Sequence, residues 1–213
     1  MVQLGGRTEM VDAIRRNLLV GAGLCAASAL TGRGHAHSLE PDAQGPTLSD
    51  EGWDADAPPE LEFMFEARVQ LHLPPMNVGA IPDGNRLIYF VKGGTFDGPH
   101  MRGRVVPDAG ADWVRIRPDG SGVLDVRFSL ETHDSALVYV HWSGRFWSAP
   151  EDAEYATDLE KPDDPAGAWR YYFRTAPQFE TGDPRYKWLN NIIAVTKSRT
   201  GNGGPIHRVF AVM

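Results

Sequence analysis

The chain has 213 residues, 42% of them hydrophobic, and a formal charge of −7 at pH 7. The four arginines and two acids of residues 1–36 leave 17 basic against 26 acidic residues beyond that point, a charge of −9 that repels phosphate backbones and anionic lipid and argues against nucleic acid as a partner. Cys25 is the one cysteine, so the chain after residue 36 has no disulfide, no thiol nucleophile and no thiolate metal ligand.

The first element in chain order is an export signal of the twin-arginine type over residues 1–36. Arg15-Arg16 precede Asn17-Leu18-Leu19, a largely apolar stretch covers residues 18–30, and Gly34-His35-Ala36 form a small-x-small cleavage site. That stretch is shorter than the roughly 20 apolar residues of a spanning helix, so no stable membrane anchor is expected and the protein is read as exported, periplasmic or secreted. Ile14 stands where the twin-arginine form favours Ser or Thr, which keeps an ordinary secretory signal open. A lipoprotein site at Cys25 is disfavoured by the bulky Leu24 before it, and a buried amphipathic helix is the plainer alternative to any signal. Residues 37–59, rich in Asp, Glu, Pro, Gly and Ala, cannot bury enough surface to offset the entropy of ordering and read as a flexible linker. Residues 60–213 are left as a single folded domain, about 150 residues, enough for one sizeable core.

Within that domain Leu61, Phe63, Phe65, Ala67, Val69, Leu71 and Leu73 recur at every second position, with Glu62, Glu66, Arg68, Gln70 and His72 in the gaps. A period of two is that of a strand with one buried face. Further strands are expected over residues 86–92, 100–106, 112–117, 123–132, 136–142, 169–175, 191–196 and 206–213. Turn sequences such as Asp83-Gly84-Asn85, Pro118-Asp119-Gly120 and Asp134-Ser135 separate them. Many short strands with closely spaced turns imply an all-β domain, a meander that closes as an antiparallel, up-and-down-like β-barrel or a tight sandwich, because an open sheet would leave long unpaired edges. Gly93-Gly94-Thr95-Phe96-Asp97-Gly98 follows a strand and opens no helix, so it reads as a bend or bulge in a barrel strand rather than a phosphate loop. Residues 149–168, acidic and Pro-rich, exceed ordinary loop length and read as a lid, a binding loop or a disordered insertion.

No P-loop, His-Glu-x-x-His, Gly-x-Ser-x-Gly or dinucleotide fingerprint occurs. His72, His100, His133, His141 and His207 stand singly without ligand spacing, so no metal site is expected. In residues 123–132, Asp125, Arg127, Ser129 and Glu131 share one face and Leu124, Val126, Phe128 and Leu130 the other. Facing solvent, the charges form an exposed ladder worth about 0–1 kcal/mol per pair. Facing a lumen, they become a polar pocket wall with shifted pKa values. The residues alone favour solvent, the default for charge. Aromatic and polar groups interleave in Trp169-Arg170-Tyr171-Tyr172-Phe173-Arg174-Thr175, Phe179-Glu180-Thr181 and Tyr186-Lys187-Trp188-Leu189-Asn190-Asn191, which suits a site that stacks on a flat substrate as well as it suits an aromatic core and rim.

Taken together these pieces resemble the domain-of-unknown-function 3237 family. The resemblance covers residues 61–212 and rests on Pro74-Pro75, Gly79, Gly84-Asn85-Arg86, Gly93-Gly94-Thr95-Phe96-Asp97-Gly98-Pro99, Gly103, Asp112-Trp113, and Asp125 with Arg127. It continues through Tyr171-Tyr172-Phe173-Arg174-Thr175, Pro177, Phe179-Glu180-Thr181-Gly182 and Tyr186-Lys187-Trp188-Leu189-Asn190. Asp108-Ala109-Gly110 and Asp134-Ser135 depart from the family's glycine-bearing turns. The resemblance implies a closed antiparallel β-barrel, and it tips the reading of Arg127 toward the lumen.

The expected function is a cofactor-independent lyase, isomerase or hydratase acting on a small aromatic or polyketide-like molecule inside the barrel. Asp112 or Glu180 would be the general acid or base, Arg127 would hold a developing oxyanion, and Tyr172 would relay a proton. Trp113, Tyr186 and Trp188 would stack on the substrate, and Asp125, Arg174 and Asn190 would supply polar contacts. The alternative is a lipocalin-like carrier or sensor in which the same residues only bind, and a third reading is a filled structural barrel. Substrate identity and oligomeric state, including a homo-oligomer, are left open.

Overall fold

The computed structural model describes residues 57–213 together with Gly45; the expected signal and nearly all of the expected linker lie outside the described residues. Among the described residues there are ten strands: β1 (Leu61–Leu71), β2 (Met76–Ile81), β3 (Gly84–Asp97), β4 (Gly103–Val105), β5 (Ala111–Ile116), β6 (Gly122–Thr132), β7 (Leu137–Ser148), β8 (Tyr171–Glu180), β9 (Ala194–Gly201) and β10 (Gly204–Val212). They form one antiparallel sheet in the order β8-β7-β6-β4-β3-β1-β10-β9, with β5 paired to both β3 and β6 and β2 lying on β3. The all-β antiparallel class expected from the periodicity is therefore the class observed. At the two ends of this path, β8 and β9 are tied through side chains. The Thr175 N–H donates to Thr196 Oγ1 at 3.0 Å, and the Thr200 N–H donates to the Tyr171 hydroxyl at 2.9 Å.

Alternate residues of the long strands turn to one shared core, as the period of two requires. β1 breaks the alternation once. Its register against β10 shifts between Phe63 and Phe65, and a one-residue bulge reverses which face each side chain takes. Phe65, Ala67 and Val69 are buried, whereas Leu61 is exposed and Phe63 packs on outer-face Phe210, ring centroids 5.6 Å apart. The continuous inner row expected from Leu61 onward is corrected accordingly. A second irregularity lies between Gln70 and Leu71, opposite Gly93, where Gly94 has φ 146° and a Cβ would run into the Arg68 carbonyl. The extra residue is Lys92, so the bulge falls just before the glycine run, whose Gly93 to Asp97 pair in regular register with β1. β2 is not expected from sequence, because its Met76-Asn77-Val78-Gly79-Ala80-Ile81 shows no alternation and most of it is exposed.

One end of the interior is filled. Phe65, Phe96, Phe128 and Trp142 pack there, with Phe65–Phe96 and Phe128–Trp142 centroids 5.5 and 5.1 Å apart. The 3-10 segment Pro184–Asn191 closes that end with the buried side chains of Tyr186 and Leu189. Its frame is polar: the Tyr186 hydroxyl donates to Asp134 Oδ1 at 3.0 Å, and Arg185 bridges Asp134 and Asp183 at 2.7 Å each. Residues 149–168 lie at the opposite end as ordered structure, a 3-10 turn (Pro150–Asp152), helix α1 (Ala153–Thr157) and the start of a second 3-10 segment (Pro165–Arg170). The β9–β10 hairpin holds this segment down. Gly203 N–H donates to Leu159 O at 2.7 Å, Asn202 N–H to Lys161 O at 2.8 Å, and Thr200 Oγ1 to Ala156 O at 3.0 Å.

Candidate functional site

Beneath α1 the interior is hollow. Leu71, Tyr89, Val114, Leu124, Phe146 and Phe173 are among the side chains that wall a cavity of about 100 Å³, and Ala156, Thr157 and Leu159 of the covering segment complete it. Apolar groups dominate the wall, as is usual for small-molecule sites, and one carboxylate, Asp112, stands in it.

Asp112 reaches the cavity because of register. On β5 it faces Tyr89 of β3 on one side and Val126 of β6 on the other, and Val126 is buried in the core, so all three share the inner face. Its Oδ1 accepts the backbone N–H of Asp125 at 3.3 Å. Loss of water around the carboxylate is the largest influence on its acidity and raises its pKa to about 7. The Asp125 carboxylate pushes the same way, while the Asp125 N–H and the Arg86 guanidinium pull it down. Tyr89 is held protonated, its pKa raised first by burial and then by the negative charge of Asp112. The cavity thus offers a carboxyl poised to gain or lose a proton near neutrality and, on the adjacent strand, a phenol that stays a hydrogen-bond donor.

A buried hydroxyl chain runs along the seam between β8 and β9. Thr175 Oγ1, Thr196 Oγ1, Ser198 Oγ and His207 Nδ1 succeed one another at 2.8 Å per step. His207 meets Trp142 edge-to-face at 4.5 Å and Phe173 at 5.4 Å, and burial lowers its pKa to about 3. The imidazole is therefore neutral, and the chain stitches the seam; it does not line the cavity.

The structure distributes the sequence-derived residues widely. Asp112 alone lines the cavity. Arg127, expected to look inward, points out. Its side chain is 44% exposed, lies 3.1 Å from Asp125 and sits over the Trp113 ring with its centroid 5.7 Å away. The reason is parity, since Val126 and Phe128 occupy the inner positions of β6 and every odd-numbered neighbour must take the outer face. Asp125 and Trp113 share that outer face. Tyr172, Arg174 and Glu180 alternate with the buried Tyr171, Phe173, Thr175 and Phe179 and face outward on β8. Tyr186 is part of the closed end, Trp188 packs there against His100 at 6.0 Å, and Asn190 clamps Thr181 through two hydrogen bonds of 2.8 and 2.9 Å. Tyr89 is the residue the sequence concealed. It sits in Leu87-Ile88-Tyr89-Phe90-Val91, apolar on both faces, so alternation could not say which way it points; only its pairing with Asp112 does.

Fold and site together define an all-β protein with a lidded, mostly apolar cavity around one inner carboxyl. Residues 59–212 match the family described as protein of unknown function (DUF3237), and the chain belongs to it. It is 40% identical over 133 residues to a UPF0311 protein of Rhodopseudomonas palustris strain TIE-1, covering 62% of this chain and 83% of that one. Its structure resembles that of a β-barrel-like protein from Acinetobacter baumannii AYE with a TM-score of 0.63 at 33% identity, over 74% of this chain and 98% of that one. An enzyme from Penicillium herquei shares the fold at 21% identity and a TM-score of 0.55, over 76% and 99% of the two chains.

Proposed function

We propose that the sheet works as a closed β-barrel cup in which Asp112 transfers protons on a small, largely apolar carbonyl or phenolic compound, as an isomerase, lyase or hydratase does. The observation that carries this reading is the inward Asp112 carboxyl, with a pKa of about 7 in an apolar cavity and Tyr89 beside it. As base, Asp112 takes a proton from carbon next to a carbonyl, and the Tyr89 hydroxyl donates to the oxygen on which negative charge collects. As acid, it returns the proton at another position. A pKa near the working pH serves both steps. The apolar wall suits aromatic or polyketide-like substrates, and the covering segment excludes water from the reaction. Support from likeness is limited to fold: the Acinetobacter protein is described as β-barrel-like and the distant Penicillium protein as an enzyme.

The same proposal keeps residues 1–36 as an export signal, on the strength of Arg15-Arg16, the apolar run and the Ala36 site, so that the reaction runs outside the cytoplasm. Amino-terminal sequencing of the protein recovered from the periplasm should begin at His37; an unprocessed cytoplasmic chain would refute this part.

Proton transfer is tested by incubating the purified protein with a panel of aromatic and polyketide-like ketones and phenols in deuterated water and following deuterium uptake and isomer formation by mass spectrometry. Asp112→Asn is expected to lower the rate by about 10²–10⁴-fold and Tyr89→Phe by less. Full turnover in a folded Asp112→Asn variant would overturn the assignment. Saturable binding with no exchange in any compound would make the cavity that of a carrier.

A further inference from the structure

The outer face at the seam carries an arrangement of charge that the cavity chemistry does not use. On β7 and β8, Arg145 and Arg174 stand directly opposite one another; on β10 and β9, Arg208 and Lys197 do the same. The seam bonds pair Thr175 with Thr196 and Tyr171 with Thr200, which sets Arg174 across from Lys197. The result is one rung of four cations, Arg145, Arg174, Lys197 and Arg208, crossing four neighbouring strands. Strands lie roughly 4.8 Å apart, so the rung is roughly 14 Å long.

Like charges directly opposed in a sheet are destabilising. Among the described residues no carboxylate lies within ion-pair distance of any of the four. Arg145 and Arg174 donate to the Gly144 and Phe173 carbonyls, and Arg208 lies over the Phe63 ring at 4.7 Å; Glu66, which faces Arg208 across the β1–β10 register, is instead engaged by Arg68 at 2.6 Å and Arg199 at 3.2 Å. The rung lines two adjoining grooves that share Tyr172, Arg174, Lys197 and Phe210. Trp147 and Tyr172, each about half exposed, flank it toward the covering segment, Trp147 facing Tyr172 in the β7–β8 register.

We propose that this rung and its aromatic flank bind an extended acidic oligosaccharide carrying one carboxylate per sugar ring. Four cations at the strand spacing match a chain whose carboxylates recur at about that interval, roughly 5 Å. Arginine forks pair with carboxylates through two parallel hydrogen bonds, and flat rings such as Trp147 and Tyr172 offer faces on which sugar rings lie. A phosphate polymer fits less well. Duplex nucleic acid presents a negative charge every 1.7 Å or so of its length, and the surrounding domain, part of a region carrying −9, repels that density more than a sparsely charged glycan.

The test is a fluorescence titration of the purified protein, read on its tryptophans, with tetragalacturonate, maltotetraose and an eight-residue oligothymidylate as probes. Tetragalacturonate is expected to bind saturably and more weakly as salt rises, and maltotetraose at least about tenfold more weakly. Arg174→Glu with Lys197→Glu should raise the tetragalacturonate dissociation constant at least about tenfold; if that pair fails to fold, Arg174→Gln with Lys197→Gln serves, with a smaller loss. The glutamine pair should also melt higher than the wild type, a readout that needs no ligand. No saturable binding of tetragalacturonate, binding that the charge changes leave intact, or tighter binding of the oligothymidylate would overturn the proposal.

Discussion

Asp112 and His207 lie in the same apolar interior, and burial moves them in opposite directions, the carboxyl up to about 7 from 3.8 and the imidazole down to about 3 from 6.5. Between pH 3.8 and 6.5 folded Asp112 holds a proton that the unfolded chain has released, so its contribution to stability is lost as pH rises toward 7. In the same window His207 is neutral when folded and protonated when unfolded, so its contribution is lost as pH falls from 6.5 toward 3. Each slope approaches about 1.4 kcal/mol per pH unit, and the two oppose one another. Asp112→Asn should therefore leave a stability that rises with pH between 4.5 and 6, and His207→Phe one that falls, while the wild type shows little of either. Urea denaturation across that range reads all three, and identical slopes would contradict the placement of both groups. Ser135, at the β6–β7 turn, is a third residue with a testable cost. Its φ of 68° lies in the left-handed region that side chains with a Cβ disfavour, so Ser135→Gly should stabilise the fold by about 0.5–1 kcal/mol in thermal denaturation.

The strands are largely legible because alternation is a strong signal: β6 divides into the same two faces in sequence and structure, Leu124, Val126, Phe128 and Leu130 on one and Asp125, Arg127, Ser129 and Glu131 on the other. What alternation could not supply was the sign of the faces. The outer row of β6 is polar in either reading, and its orientation is decided by the packing of Val126 and Phe128 against Trp142 and the rest of the core, which is information held in other strands. Arg127→Ala should accordingly change stability by no more than about 0.5 kcal/mol and leave cavity chemistry unaltered. The β1 bulge was illegible for a related reason, since a single inserted residue leaves the composition of Leu61 to Leu71 unchanged while reversing the faces at one end. Conversely, the aromatic motif Tyr186-Lys187-Trp188-Leu189 looked like a stacking platform and is instead the stopper of the closed end. Leu189→Ala should destabilise the protein by about 2–5 kcal/mol, with the specific activity of the remaining folded protein intact; lost activity in a stably folded variant would put this segment back in the site.

As a whole the molecule divides its interior. One half is packed by aromatic rings, and the other is kept open around Asp112 under a segment that the β9–β10 hairpin holds with backbone hydrogen bonds. Of the charged side chains expected to gather inside a hollow, Asp112 lines the cavity, and Arg127, Asp125, Arg174 and Glu180 lie on the outer surface. The proposed acid–base reaction therefore turns on the protonation of Asp112 in the folded protein. Carbon-13 NMR of aspartate carboxyl carbons, with the Asp112 signal assigned by its absence in Asp112→Asn, measures it directly. A midpoint near pH 7, raised further when an apolar ligand fills the cavity, is the expected result. A midpoint at the ordinary aspartate value, about 3.9, would mean that water reaches the carboxylate freely and would contradict the acid–base role.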